Sequence, residues 1–160
     1  MTTHRKADPI DAALLKALIA DPDATNIAVA ESTGLARNTV RSRLARYAEE
    51  EALRSFERRI DPAFLGYPLS AYIVTKVTQR KLASVGKALG EIPEVLEVQG
   101  LSGVSDLLVH VVARDADDLY RIAGRILGTD GVKRTNTGLV MRELVSYRIA
   151  QLLNADDAKN

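Results

Sequence analysis

The stretch Leu35-Ala36-Arg37-Asn38-Thr39-Val40-Arg41-Ser42-Arg43-Leu44-Ala45-Arg46-Tyr47 decides the reading of this chain. Arginine stands at 37, 41, 43 and 46, and no acidic residue lies among them. Ala36, Val40, Leu44 and Tyr47 recur at helical spacing and form one apolar stripe. Arg37, Asn38, Arg41, Ser42 and Ala45 fall on an opposite face. Arginine and asparagine can each make paired hydrogen bonds to base edges in a major groove. A small, basic, polar face suits a helix that enters a groove, although a merely solvated face has the same composition.

The residues before the stretch separate these readings. Ile27, Ala28, Val29, Ala30 and Thr33 suggest a short helix of small residues, and Thr25 or Asn26 can cap its start. Gly34 ends it where a positive φ is needed. A short helix, a tight turn at glycine and a basic second helix make a helix-turn-helix unit.

Ile10, Leu14, Leu15 and Leu18 define a helix ahead of these two, with Asp8 as its cap and Pro9 at its first position. Asp21-Pro22-Asp23 ends it. The three helices occupy about fifty residues, close to the practical minimum for a domain. The apolar edge of so small a unit needs a partner.

From Arg54 the texture changes. Arg54-Ser55-Phe56-Glu57-Arg58-Arg59-Ile60 is extended in character, and Asp61-Pro62 and Gly66-Tyr67-Pro68 break it. Residues 54–68 read as a linker with one short strand. Beyond it, strands and helices alternate. Leu69 to Val77 is β-rich; Leu82, Val85, Leu89 and Ile92 mark a helix closed by Pro93. Val95 to Leu101 and Leu107 to Ala113 are strands about the turn Ser102-Gly103-Val104-Ser105. Leu119, Ile122, Ala123, Ile126 and Leu127 mark a helix stopped at Gly128, and Val132 to Val145 is a long last strand. The order βαββαβ is ferredoxin-like. Its sheet has one face covered by helices and one bare, and a bare apolar face predicts pairing with another copy.

Composition sets the outer limits. The 160 residues fit one domain or two small ones. A 46% apolar share supports a packed core, and with no tryptophan that core must be built from Leu, Ile, Val and Ala. A net charge of +1 says little, so local clustering of charge carries the argument. The chain has no cysteine, which excludes disulfides, thiolate metal sites and cysteine nucleophiles and fits a cytoplasmic protein. No apolar run approaches membrane-spanning length, and the polar N-terminus has no signal core. His4 stands in that polar start, and His110 lies inside an apolar strand as a satisfied sheet residue, so no metal or other cofactor is expected.

A basic helix-turn-helix followed by βαββαβ resembles the Lrp/AsnC family of feast/famine transcription regulators. Asp8-Pro9-Ile10-Asp11-Ala12-Ala13-Leu14-Leu15 is similar to the family's opening, Gly34-Leu35-Ala36 to its helix-joining turn, and Val40-Arg41-Ser42-Arg43-Leu44 to its recognition helix. Asp61-Pro62 and Gly66 match the linker, Ser102-Gly103-Val104-Ser105-Asp106 the Gly-x-x-Asp turn, and Gly131-Val132 and Thr137 the last strand. The likeness runs over residues 8–145. It departs at Ala36, which stands in place of a capping serine, and at Ser105, in place of a residue that is often aromatic. It departs also at Glu51, where the family usually has glycine and a left-handed turn is not expected of glutamate.

The expected fold is therefore α+β: a winged helix-turn-helix domain over 1–53, the 54–68 linker, a ferredoxin-like domain over 69–146 and a tail over 147–160. Arg37, Asn38, Arg41 and Ser42 are the candidates to read bases of double-stranded DNA. Thr39, Arg43 and Arg46 lie nearer the flank and would meet phosphates. Arg46 has an alternative partner in Glu50, and Arg43 an alternative role linking helices. The resemblance implies an amino-acid effector held at Gly103, Val104, Ser105 and Asp106, with Thr137 adding a hydroxyl and Asp106 accepting from the ammonium group. Read without it, the turn is a plain hairpin connection. The resemblance also implies a homodimer assembling to an octamer. An enzyme would need a nucleophile–base pair or an acid–base set, and none stands out. An architectural DNA-binding protein without an effector is the remaining alternative.

Overall fold

The computed structural model describes residues 6–154, so His4 lies outside the described residues. The chain forms two compact units, one of residues 57–144 and one of the N-terminal residues to Phe56 together with those from Val145 onward.

The N-terminal unit is built on α1 (Pro9–Ala20), α2 (Asn26–Thr33) and α3 (Arg37–Glu49). Asp8 caps α1 and forms a reciprocal box with Asp11: each carboxylate accepts the other's backbone N–H, at 2.9 and 3.0 Å. Thr25 caps α2 through the Ala28 N–H. Gly34 closes α2 at φ +70°, a conformation that costs residues with a Cβ. Ala36 starts α3 without a side-chain cap. Leu14, Val29, Ala30 and Val40 form the core, flanked by Ile10, Leu18, Leu35 and Leu44.

Four expectations are corrected. Past α3 the left-handed turn exists although glycine is absent. Glu51 adopts φ +50°, the Ala52 N–H reaches the Tyr47 carbonyl at 2.9 Å and the Glu51 N–H that of Ala48 at 3.4 Å. This doubly bonded helix end satisfies carbonyls that the end of α3 would otherwise leave open, and that gain holds glutamate in an unfavourable region. Second, neither the linker strand nor a wing is present among the described residues. Phe56–Arg59 and Pro62–Leu65 are 3₁₀ turns, the second capped by Asp61 and stopped at Gly66. Third, the last strand is shorter than its sequence suggests, for a reason given below. Fourth, the described part of the 147–160 tail groups with the N-terminal unit: the 3₁₀ turn Ala150–Asn154 lies against α1.

The second unit is a four-stranded antiparallel sheet of β1 (Leu69–Val77), β2 (Val95–Gly100), β3 (Leu107–Ala113) and β4 (Val132–Leu139), in the order β2-β3-β1-β4. Helices α4 (Leu82–Gly90) and α5 (Ala116–Leu127) make the crossovers. Ala71, Ile73 and Val77 of β1 and Val109 and Val111 of β3 alternate inward with period two. They meet Val85, Leu89, Ile122 and Ile126 in one core. The βαββαβ order thus holds, with both helices on one face. The strand β4 stops at Leu139 because its partner β1 begins at Leu69; the last tie is the Val140 N–H to the Ser70 carbonyl, at 2.9 Å. On the face away from the helices, the His110 ring stacks on Tyr72 at 4.6 Å and meets the Ser70 hydroxyl at 2.9 Å. Burial holds the His110 imidazole below its ordinary pKa. No helix among the described residues is long and apolar enough to cross a membrane.

Candidate functional site

Two places carry the residues singled out in the sequence, one in each unit. In the N-terminal unit α3 sorts its polar side chains by direction. Arg37, Asn38, Arg41 and Ser42 are exposed in one row, and Thr39 is half-buried beside them. The row follows from Val40 and Tyr47, which are buried and fix the rotation of the helix about its own axis. The Ser42 hydroxyl donates to the Thr39 carbonyl one turn back, at 3.1 Å.

Arg43 and Arg46, expected at phosphates, are turned the other way. Arg43 Nη1 donates to Asp8 Oδ2 at 2.6 Å and to Asp11 Oδ1 at 2.8 Å. Arg46 Nη2 donates to the same Asp11 Oδ1 at 2.8 Å, with Glu50 a further 3.7 Å away from its Nε. The Tyr47 hydroxyl donates to Asp11 Oδ1 at 2.7 Å. Asp11 is only 2% exposed. Burial alone would raise its pKa, but the Asp8 N–H, the Tyr47 hydroxyl and the Arg43 guanidinium outweigh burial and hold it below the ordinary carboxylate range. The same burial, with the charge of Asp11, pushes the Tyr47 phenol up. Asp11 is the residue that sequence reasoning missed. Its signal was an acidic side chain in the apolar series of α1, at the helical spacing 11, 14, 18.

In the second unit, the turn between β2 and β3 holds the other candidate residues. Gly103 sits at φ +113°, which only glycine adopts without strain. Val104 is exposed and Ser105 half-buried. Asp106 is buried, and its carboxylate is turned into its own chain. Oδ2 accepts the Val77 N–H at 2.8 Å, and Oδ1 accepts from Gln79 at 2.7 Å and Lys76 at 3.1 Å. The Val77 N–H is the main reason its pKa lies below the ordinary range, with Lys76 adding to it. Among the described residues, the backbone N–H groups of Gly103, Val104 and Ser105 take up no partner in the chain. Thr137 is exposed on β4 opposite Ile73, so β1 separates it from the turn. The structure does not bring Thr137 and the turn together within one chain.

A third polar cluster, at the start of α5, is structural. Asp118 accepts the Arg114 N–H at 3.1 Å and Arg121 Nη2 at 2.7 Å, and Arg121 also binds Glu94. It joins the loop before β2 to the crossover helix.

A three-helix unit with an outward basic row, followed by a ferredoxin-like sheet, defines a helix-turn-helix DNA-binding protein with a ligand-binding partner domain. Comparison with known proteins agrees. The AsnC-type helix-turn-helix domain matches residues 8–47 and the Lrp/AsnC ligand binding domain residues 70–149. The chain belongs to the Lrp/AsnC family and is a DNA-binding transcription regulator. It is 34% identical over 144 residues to the HTH-type transcriptional regulator AldR of Mycolicibacterium smegmatis, covering 88% of this chain and 84% of that one. It is 31% identical over 135 residues to FL11 of Pyrococcus horikoshii, covering 84% and 89%. Among solved structures it is similar to a feast or famine regulatory protein of M. tuberculosis complexed with L-methionine. That match has a TM-score of 0.77 and 27% identity and covers 89% of this chain and 97% of that one.

Proposed function

We propose that this regulator reads an operator with the outward row of α3 and answers to an amino acid bound at the β2–β3 turn. The observation that carries the first half is the exposed set Arg37, Asn38, Arg41 and Ser42 on a helix whose opposite side is locked in a core. Arg37 and Arg41 suit guanine, Asn38 suits adenine, and Ser42 suits either. Thr39 at the flank meets a phosphate.

The second half rests on the unpartnered N–H groups of Gly103, Val104 and Ser105, which suit a carboxylate. Asp106 shapes the turn from behind, through Val77, Lys76 and Gln79, rather than meeting the ligand ammonium. Thr137 lies across β1, so it reaches a bound ligand only from a second copy of the chain. This favours a closed assembly of dimers, with an octamer as its expected size. The L-methionine complexed with the M. tuberculosis relative supports an amino acid as the ligand class. The protein works in the cytoplasm, where its operator is, and performs no catalytic step.

The test is a thermal-shift screen of the twenty amino acids. A ligand that binds only the folded state raises the melting temperature. One or a few amino acids raising it, and failing to do so in Gly103→Val, support the reading. No shift with any of the twenty removes the amino-acid effector and leaves an architectural DNA-binding role.

A further inference from the structure

We infer that Asp11 and Asp8 withhold Arg43 and Arg46 from DNA phosphates, so that this acidic pair sets the ratio of specific to non-specific DNA binding. The inference rests on the reading of α3 as the DNA-contacting helix and concerns residues outside its outward row.

The sequence of α3 offers four arginines, but the fold spends them in two ways. Arg37 and Arg41 stand exposed. Arg43 is pinned by two carboxylates, at 2.6 and 2.8 Å, and its side chain is 17% exposed. Arg46 is pinned by Asp11 at 2.8 Å, and its guanidinium carbon also leans over the Tyr47 ring at 5.9 Å. A guanidinium on a carboxylate that is only 2% exposed is held there, because departure would take from a buried charge one of the partners that compensate its burial. Phosphate contacts give affinity for any sequence, and base contacts give discrimination. A helix that keeps its base-reading cations outward and ties the others inward therefore gives up non-specific affinity and keeps selectivity. Asp11 and Asp8 are positioning residues in this scheme, since they act through the arginines they hold.

The experiment measures affinity for a selected duplex and for a scrambled duplex across a range of salt concentrations. Wild type is compared with Asp11→Asn and with the Asp8→Asn/Asp11→Asn double variant. Asparagine at 11 keeps one acceptor oxygen, enough for the Tyr47 hydroxyl at Oδ1 but not also for the Asp8 N–H at Oδ2, and asparagine at 8 caps a helix about as well as aspartate. It removes the charge that holds the guanidiniums. Each arginine that reaches a phosphate steepens the slope of log K against log salt by about 0.9. Asp11→Asn leaves Arg46 only the half-exposed Glu50, 3.7 Å from its Nε, and is expected to steepen the slope by up to about 1, and the double variant, which releases Arg43 as well, by up to about 2. Binding to the scrambled duplex should rise at low salt while the specific-to-scrambled ratio falls. A purely structural role would not produce this pattern. It would lower both affinities and leave the slope unchanged or flatter, and that result overturns the inference.

Arg46→Gln in the wild-type background is a second, independent arm that leaves Asp11 its bonds to Arg43 and Tyr47. An unchanged slope supports withholding. A slope flattened by about 1 shows Arg46 already on a phosphate and overturns it. If wild type itself fails to bind any duplex, the reading of α3 falls and this inference falls with it. If wild type binds and only the variant slopes are wrong, this inference alone falls.

Discussion

Asp106 anchors the turn between β2 and β3 to β1: its Oδ2 accepts the Val77 N–H at 2.8 Å, across 29 residues of chain. The Asp106 N–H in turn donates to the Thr75 carbonyl at 3.0 Å. A residue placed by resemblance in a ligand site is therefore also a brace of the sheet. Asp106→Ala would leave a buried N–H without an acceptor. It should lower the melting temperature by about 4–8 °C even without ligand, and weaken effector binding by roughly tenfold or more. Calorimetry and thermal melts check both. Weaker binding with no change in unliganded stability would return Asp106 to direct contact with the ammonium group.

Glu51 occupies φ +50° at the end of α3. Glycine there would relieve a left-handed conformation worth about 1–2 kcal/mol, less the entropy that glycine adds to the unfolded chain. Glu51→Gly should stabilise the protein by about 0.5–1 kcal/mol in urea unfolding, with DNA affinity unchanged. Destabilisation would mean that the Glu51 side chain contributes something its backbone angle does not reveal.

Much of the fold is legible in the sequence because its signals are local. The strands β1 and β3 begin and end where their apolar runs do, and the caps at Asp8, Thr25 and Gly34 are short-range chemistry. What escaped is non-local. The Asp11–Arg43 and Asp106–Val77 ties join residues 32 and 29 positions apart, and no periodicity announces them. The extent of β4 escaped for the same reason, since beyond the Val140 N–H tie to Ser70 the residues to Val145 pair with no strand. Phe56–Arg59 was misread because a basic run flanked by aromatic and β-branched residues fits a strand and a 3₁₀ turn alike. The outward row of α3 was legible because helix rotation follows from the apolar stripe alone. For Arg43 and Arg46 a link between helices and a pair with Glu50 were the open alternatives; that Asp8 and Asp11 are the partners at α1 was not legible, because it depends on what α1 offers them.

Acid should unfold the protein through its braced carboxylates. Asp11, Asp106 and Asp118 all titrate below their ordinary range in the folded chain. A depressed folded pKa gives stability that is present above the unfolded value, about 3.9, and is lost as pH falls through the folded value. Melting temperature as a function of pH should therefore stay high to about pH 4 and drop steeply below it. In Asp118→Asn that drop should be shallower and the neutral-pH melting temperature lower. A drop of equal steepness in this variant would place the acid sensitivity elsewhere.

Self-association is the next expectation. The helix-free sheet face carries Tyr72, Val74 and Leu108 beside His110, and Phe64, Met141 and Leu144 are exposed on the same unit. Light scattering at micromolar concentration should give at least a dimer, with an octamer as the expected end state. A monomer across that range would contradict it and leave Thr137 without a route to the turn.

The central claim is that the outward row of α3 reads DNA sequence. The direct measurement is a titration of a duplex, selected from a random library by the wild-type protein, with the Arg37→Ala/Arg41→Ala variant alongside wild type. Each arginine lost from a base edge should cost about 1–3 kcal/mol, so the double variant should bind at least tenfold more weakly and lose its preference over a scrambled duplex. Unchanged affinity and preference in a folded double variant would remove α3 from recognition and contradict the account.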